Sequence, residues 1–204
     1  MAMPSRVSPS RPPATLEREN RALRAEVERL TRFRDLAYQD PLTGLYNRRC
    51  LEEKAPEEFA RARREREFVG LATFDVDRFK EVNDSLGHAA GDQVLCAIAQ
   101  VLAANARRGD LICRWGGDEF AVLLPGTGLW GTESFVKRVT VELSTIAIPL
   151  TGGRTPISAS PGLAVFPEDG THLADLFERA DTELYATKAA RGRQARDGAP
   201  HSAP

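Results

Sequence analysis

Apolar positions along the chain fall into distinct rhythms. Over residues 14–38, Leu16, Leu23, Leu30 and Ala37 recur every seven residues, with Asn20, Val27 and Arg34 between them. That spacing predicts a helix with a heptad seam, the leucines at d and Asn20, Val27 and Arg34 at a. Asn20 favours a parallel two-stranded pairing, in which Glu19 of one chain reaches Arg24 of another, and Arg34 loosens the seam near its end. About three heptads are marginal for an isolated coil; the alternative is a solvated helix lying on its own domain. The segment "DPLTGLYNRR" reads as a turn, and a new helix starts near Asn47, with Pro56 breaking or restarting it. "EFVGLATFDVD" is a mostly apolar strand that ends in acid, and period-two geometry puts Asp75 and Asp77 on one face. "FKEVNDSLGHAAGD" reads as turn-rich. "QVLCAIAQVLAANARR" then carries Val94, Leu95, Ile98, Val101 and Leu102 on one helical stripe.

A hairpin follows, "DLICRW" and "EFAVLLP" joined by Gly116-Gly117, whose tolerance of positive φ suits a tight turn. A helix over about 131–148, a strand "PISASPGLAVF", a "PEDG" turn and an amphipathic helix "THLADLFERADTELYATKAA" complete the series. The order after the coil, helix, strand, helix, strand, strand, helix, strand, helix, predicts an α/β (α+β) sandwich whose helices cover a mostly antiparallel sheet. Residues 1–13 and 195–204 are rich in small residues and proline and read as disordered tails. The expected division is therefore a tail over 1–13, a coiled-coil helix over 14–38, one domain over 39–194 and a tail over 195–204.

Composition narrows the function. With 28 basic and 29 acidic residues and a formal charge of -1, no global field marks a nucleic-acid or membrane-surface protein, so any anion site is local. Cys50, Cys96 and Cys113 match neither a zinc nor a redox spacing and read as reduced core thiols. His88, His172 and His201 form no cluster. No apolar run approaches the ~20 residues that span a bilayer, and no signal-peptide block stands at the N-terminus. The expected location is the cytoplasm.

The chemistry is in the acids. A Gly-Gly hairpin needs no adjacent carboxylates, yet Asp118 and Glu119 follow directly, and Asp75 ends a separate strand. If those strands are neighbours, the carboxylates converge at one sheet edge. Hard oxygen ligands with positions left open suit Mg²⁺ shared with substrate phosphates, and glycines allow phosphates to approach the backbone. Each signal alone is more often a plain corner or a strand cap; their conjunction carries the reading.

Together, "DPLTGLYNRR", "FDVDRFKEVNDSLGHAAGD", "RWGGDEF" and "ADTELYATK" over about residues 36–194 resemble the GGDEF-domain diguanylate cyclases, which condense two GTP into cyclic di-GMP and release two pyrophosphates. The resemblance implies a nucleotidyl-cyclase (palm-like) fold. It implies Asp75, Asp118 and the main-chain carbonyl of Val76 as ligands of Mg²⁺, with Mn²⁺ as an alternative. It makes Glu119 a metal ligand or a helper in deprotonating the 3′-hydroxyl. Asn83 and Asp92 match the residues that read guanine. Phe79 and Lys80 match the turn that holds the triphosphate, where the charge of Lys80 also serves catalysis, and Gly116 and Gly117 match the signature turn over the substrate. Lys188 matches a further phosphate-binding cation. The family's Lys, two residues, Gly-Arg becomes "KAARGR" here, so either Arg191 or Arg193 supplies the guanidinium; Arg193 is the choice made. Pro161 stands where an aliphatic residue is usual, and its missing N–H predicts an edge strand or a bulge.

One domain holding one GTP implies a homodimer with facing half-sites, and the coil serves that pairing. Arg107 and Asp110 match the family's inhibitory Arg-x-x-Asp, where product would bind, with Arg138, or Arg61 and its neighbours, as a second contact. The plain alternative is a cation-rich helix C-terminus. Two rival functions are a catalytically silent GTP or cyclic di-GMP receptor and a coiled-coil scaffold; the intact set Asp75, Asp118, Glu119, Asn83 and Asp92 argues for the enzyme.

Overall fold

The computed structural model describes residues 13–150 and 153–197. Two compact units divide between Ala37 and Tyr38. In the first, α1 (Pro13–Tyr38) is one continuous helix whose Leu16, Leu23, Val27, Leu30, Phe33 and Leu36 are exposed. An apolar stripe left open to water is costly. Phe33 and Leu36 lie off the heptad positions deduced from the sequence.

In the second unit, β1 (Tyr46–Asn47), β2 (Val69–Val76), β3 (Leu111–Arg114), β4 (Glu119–Pro125) and β7 (Ala159–Phe166) form one sheet in the order β1-β3-β4-β2-β7. All its pairings are antiparallel except β1 with β3, as the sandwich reading expects. The helices are α2 (Arg48–Glu65), α3 (Phe79–Leu86), α4 (His88–Asn105), α5 (Leu129–Thr145) and α6 (Leu173–Asp197). A small hairpin, β5 (Ala147–Leu150) with β6 (Gly153–Pro156), precedes β7.

Alternation along β2 divides the core between two faces of the sheet. Ala72, Phe74 and Val76 join Ile98 and Leu102 of α4 and Phe135 and Val139 of α5. Val69 and Leu71 join Leu51 and Phe59 of α2 and Leu176 of α6. Both faces are covered, which is why β2 reads as a nearly unbroken apolar run. Thr73 and Asp75 share the α2/α6 face by the same alternation. Gly162 of β7 fixes how close α6 lies, since a Cβ there would sit 2.2 Å from the carbonyl oxygen of Ala180. That contact brings the following turns of α6 over the end of β2.

Several sequence expectations need correction. Residues 79–86, read as turn, form α3: Asn83, Asp84 and Ser85 are weak helix formers, but Phe79 and Val82 pack on the core and hold the helix. Pro56 neither breaks nor restarts α2, because Leu51, Ala55, Phe59 and Ala62 bury one face on either side of it. The helix of 131–148 runs 129–145, and the strand expected from Pro156 begins at Ala159, with β5 and β6 filling the gap. α6 continues to Asp197, past the start expected for the tail; residues 1–12 and 198–204 lie outside the described residues. Pro161 occupies an edge strand, in plain register with Phe74. Cys50 and Cys113 are buried and Cys96 half-buried, all free thiols.

Candidate functional site

The acids meet at one end of the sheet because β2 and β4 are neighbours. Asp75 and Glu119 are register partners, and the Val76 N–H donates to the Asp118 carbonyl at 3.1 Å. Asp75, Val76, Asp118 and Glu119 thus come from adjoining strand ends, as the sequence required. Partial burial, then the charges of Asp75, Asp118 and Asp181, push the Glu119 carboxyl above the usual carboxylate range, with Lys188 opposing. Lys188 reaches from α6 to place Nζ 2.7 Å from Asp75 Oδ1. Sequence reasoning misses Asp181; helix periodicity counted back from Lys188 is the signal that places it on the same side of α6.

This donor set fits a divalent cation. A cationic nitrogen already lies against Asp75, and the crowding that raises Glu119 is what a metal ion relieves. Among the described residues no group of three or more His, Cys, Asp or Glu side chains is arranged to hold a metal ion by itself. An open site, completed by substrate oxygens, is the form Mg²⁺ takes with nucleotides. A cavity of about 200 Å³ opens beside the acids, lined by Arg48, Thr73, Asp75, Trp115, Glu119 and Asp181 among others.

The signature turn is held from outside. Arg114 spans Asp40, with Nη1 3.2 Å from each carboxylate oxygen, and the Gly117 carbonyl, 2.7 Å from Nη2. Asp40 also accepts from the Thr43 hydroxyl and amide. Burial alone would raise the Asp40 carboxyl, but the Thr43 bonds and Arg114 outweigh it and hold the group below its ordinary range. Trp115 stacks on Phe177 of α6 at 4.0 Å, with the Arg48 guanidinium over its ring. Trp115 and Phe120 therefore pack, as expected. The glycines do not serve as expected: neither Gly116 nor Gly117 has a positive φ. A Cβ on Gly116 would fall 2.7 Å from Glu119 Oε2 and displace that carboxylate, whereas Gly117 has nothing within 4 Å and leaves its backbone approachable.

On the other side of the acids, Phe79 and Lys80 open α3. Asp77, paired with Asp75 in the sequence reading, lies beyond the strand and accepts from the hydroxyls of Ser158 and Ser160 at 2.6 Å each, pinning the turn to β7. Asn83 crosses to α4, where a Cβ on Gly91 would lie 2.1 Å from its Oδ1; Asp92, next along, is exposed. The two guanine-reading candidates thus face one α3–α4 junction that depends on Gly91. Gly91→Ala is expected to swing Asn83 away and raise about tenfold the KM for the GTP that the sequence resemblance implies, through loss of a hydrogen bond of roughly 1.4 kcal/mol. Ala is the better helix former, so the unfolding temperature should hold; steady-state kinetics and a melting curve check both.

Arg107 and Asp110 form a closed pair beyond α4. The Asp110 carboxylate accepts from the Arg107 amide at 2.8 Å and lies 3.3 Å from Nε. The guanidinium also reaches the Pro125 carbonyl and lies 2.7 Å from Thr127 Oγ1. Arg138 donates to the Asn105 carbonyl at 3.4 Å, beside that pair. Arg61 instead pairs with Glu58 and Glu65 on its own helix. The side chains of Arg191 and Arg193 lie outside the described residues. His88 and His172 are exposed, and no helix among the described residues is long and apolar enough to cross a membrane.

The family model for the GGDEF domain, "Diguanylate cyclase, GGDEF domain", matches residues 37–194. The chain is 38% identical over 177 residues to diguanylate cyclase DgcP of Pseudomonas aeruginosa, covering 86% of this chain and 26% of that protein. It is 36% identical over 163 residues to response regulator PleD of Caulobacter vibrioides, covering 79% of this chain and 36% of that one. The chain thus spans well under half the length of either relative. Among solved structures it is similar to the coiled coil and GGDEF domain of DgcB from Caulobacter crescentus in complex with c-di-GMP. There the TM-score is 0.77 and the identity 29%, over 87% of this chain and 94% of that one. For diguanylate cyclase SiaD in complex with its activator SiaC from Pseudomonas aeruginosa, the TM-score is 0.71 and the identity 35%, over 87% and 70% of the two chains. With its acids at adjoining strand ends and a family match across residues 37–194, the chain belongs to the GGDEF-domain family.

Proposed function

We infer that this chain is a diguanylate cyclase that joins two GTP into cyclic di-GMP, uses Mg²⁺, works as a homodimer in the cytoplasm and is restrained by its product. One observation carries the reading. Asp75, Asp118 and Glu119 come together at the ends of β2 and β4, with the Lys188 ammonium 2.7 Å from Asp75.

In each of two steps a 3′-oxygen bonds to the α-phosphorus of the other GTP, the bond to the pyrophosphate oxygen breaks, and the hydroxyl gives up its proton. Asp75, Asp118, Glu119 and the Val76 carbonyl would hold Mg²⁺, which when bound neutralises phosphate charge and acidifies the hydroxyl. Where Glu119 is not held by the metal, its carboxylate serves to accept that proton instead. Asn83 and Asp92 orient guanine: a carboxylate accepts from N1–H and the exocyclic amine, a donor pair that adenine lacks. Phe79 and Lys80 receive the triphosphate on the first amides of α3.

Two half-sites must face, and the apolar stripe of α1 supplies the pairing by raising the local concentration of one domain beside another. Removal of residues 1–36 is expected to lower specific activity most at low protein concentration; equal rates across a dilution series would exclude this role. Product feedback falls to Arg107, Asp110 and Arg138, with the bonds of Arg107 to Pro125 and Thr127 exchanged for guanine or phosphate contacts. Incubation of the purified chain with GTP and Mg²⁺, followed by nucleotide separation, tests the activity. Cyclic di-GMP with two equivalents of pyrophosphate is expected, and GTP bound but unchanged would make the chain a receptor instead.

A further inference from the structure

The Lys188–Asp75 contact sets two cations in competition for one oxygen. Nζ of Lys188 lies 2.7 Å from Asp75 Oδ1. The ammonium therefore sits against a carboxylate assigned to the metal. A divalent ion and an ammonium cannot share a carboxylate oxygen without strong mutual repulsion. The lysine side chain is 41% exposed at the end of a flexible four-carbon stem, so it can leave Asp75 without disturbing the fold. What it needs on leaving is another anion, and a triphosphate supplies one.

We propose that Lys188 is a positioning residue that couples metal binding to nucleotide binding, its ammonium holding Asp75 until triphosphate draws it away and frees the carboxylate for the cation. The proposal rests on the functional reading above and adds a thermodynamic consequence. Because such coupling is reciprocal, the metal should favour triphosphate by the same factor by which triphosphate favours the metal. Binding of the metal alone is then held weak, and the site loads metal and GTP together.

The test uses the full chain and Mn²⁺, followed by electron paramagnetic resonance, with and without the α,β-methylene analogue of GTP, which cannot release pyrophosphate. In the wild type, the analogue should tighten Mn²⁺ binding strongly. Lys188→Met should bind Mn²⁺ alone about five- to tenfold more tightly than the wild type, and the tightening by the analogue should shrink by the same factor, within the usual range of coupling. Lys188→Gln serves as a second variant should the first lose its fold, as read by circular dichroism. Lys80→Met removes the same charge from the start of α3 without touching Asp75; at 0.3 M KCl, where exposed charges further apart are largely screened, it should change Mn²⁺ binding without nucleotide by less than about twofold. Mn²⁺ affinity without nucleotide that is unchanged in both Lys188 variants, or raised equally by Lys80→Met, overturns the coupling while leaving the functional reading intact. A wild type that binds no Mn²⁺ even with the analogue overturns both.

Discussion

Asn in place of Asp75 is expected to lower cyclic di-GMP formation about 10³-fold, the scale of removing one preorganised electrostatic group from a reacting centre, with little change in the unfolding temperature. The carboxylate lies at the end of β2, where its backbone pairs with both Glu119 and Ser160, and an amide of equal size leaves those ladder bonds in place. What it loses is charge. Asp75 sits beside Asp118 and Glu119, and on the proposed reading the three share the work of attracting a divalent ion; an amide oxygen is a far weaker ligand. The effect on rate should exceed the effect on GTP affinity, because Asn83, Asp92 and the α3 N-terminus, proposed to hold the base and the phosphates, are untouched. Single-turnover kinetics with saturating GTP, beside a nucleotide titration, separate the two. A variant retaining a tenth or more of the wild-type rate would remove Asp75 from the catalytic centre.

This site is legible in the sequence for a physical reason. Strand β2 is apolar until it reaches acid and β4 begins with acid, so once the two are antiparallel neighbours the carboxylates must meet at one edge. The same alternation locates the core, since Phe74 and Leu71 can only face opposite layers. Long-range ties are not legible. Arg114 and Asp40 stand 74 positions apart, and each alone reads as a surface charge. The anchoring of Asp77 by Ser158 and Ser160 is hidden in the same way, so Asp77 reads only as a second acid on the face of Asp75. α3 escapes the pattern because its helix rests on the burial of Phe79 and Val82, which overrides the turn propensity of Asn83, Asp84 and Ser85. The glycines of the signature turn suggest a positive φ that neither adopts, while the nearness of Gly116 to the Glu119 carboxylate is revealed by no local pattern.

Asp40→Asn tests how far the signature turn depends on that distant tie, and is expected to cost about 2 kcal/mol, the range for a hydrogen bond to a charged group. The Asp40 and Arg114 side chains are each 17% exposed, so the loss leaves a guanidinium largely shielded from water with a neutral amide oxygen and the Gly117 carbonyl in place of its counter-charge. For a domain of this size that is a fall of roughly 4–8 °C in the unfolding temperature. The pH dependence has a definite sign. The folded-state carboxyl of Asp40 is held below its ordinary value of 3.8, so the contribution is fully present above that value and is lost as pH falls through the lower folded-state one. The stabilities of the wild type and of the Asp40→Asn variant should therefore run parallel between about pH 5 and 8, on the scale set by that ordinary value, and converge on acidification below about 4. Arg114→Lys should recover only part of the loss, since an ammonium cannot bridge Asp40 and the Gly117 carbonyl with a planar fork. Because Arg114 grips Gly117, one residue before Asp118, both variants should also slow turnover at saturating GTP. A stability gap that persists unchanged at about pH 3, below the ordinary carboxylate value, would show that the Asp40 charge is not what holds the turn.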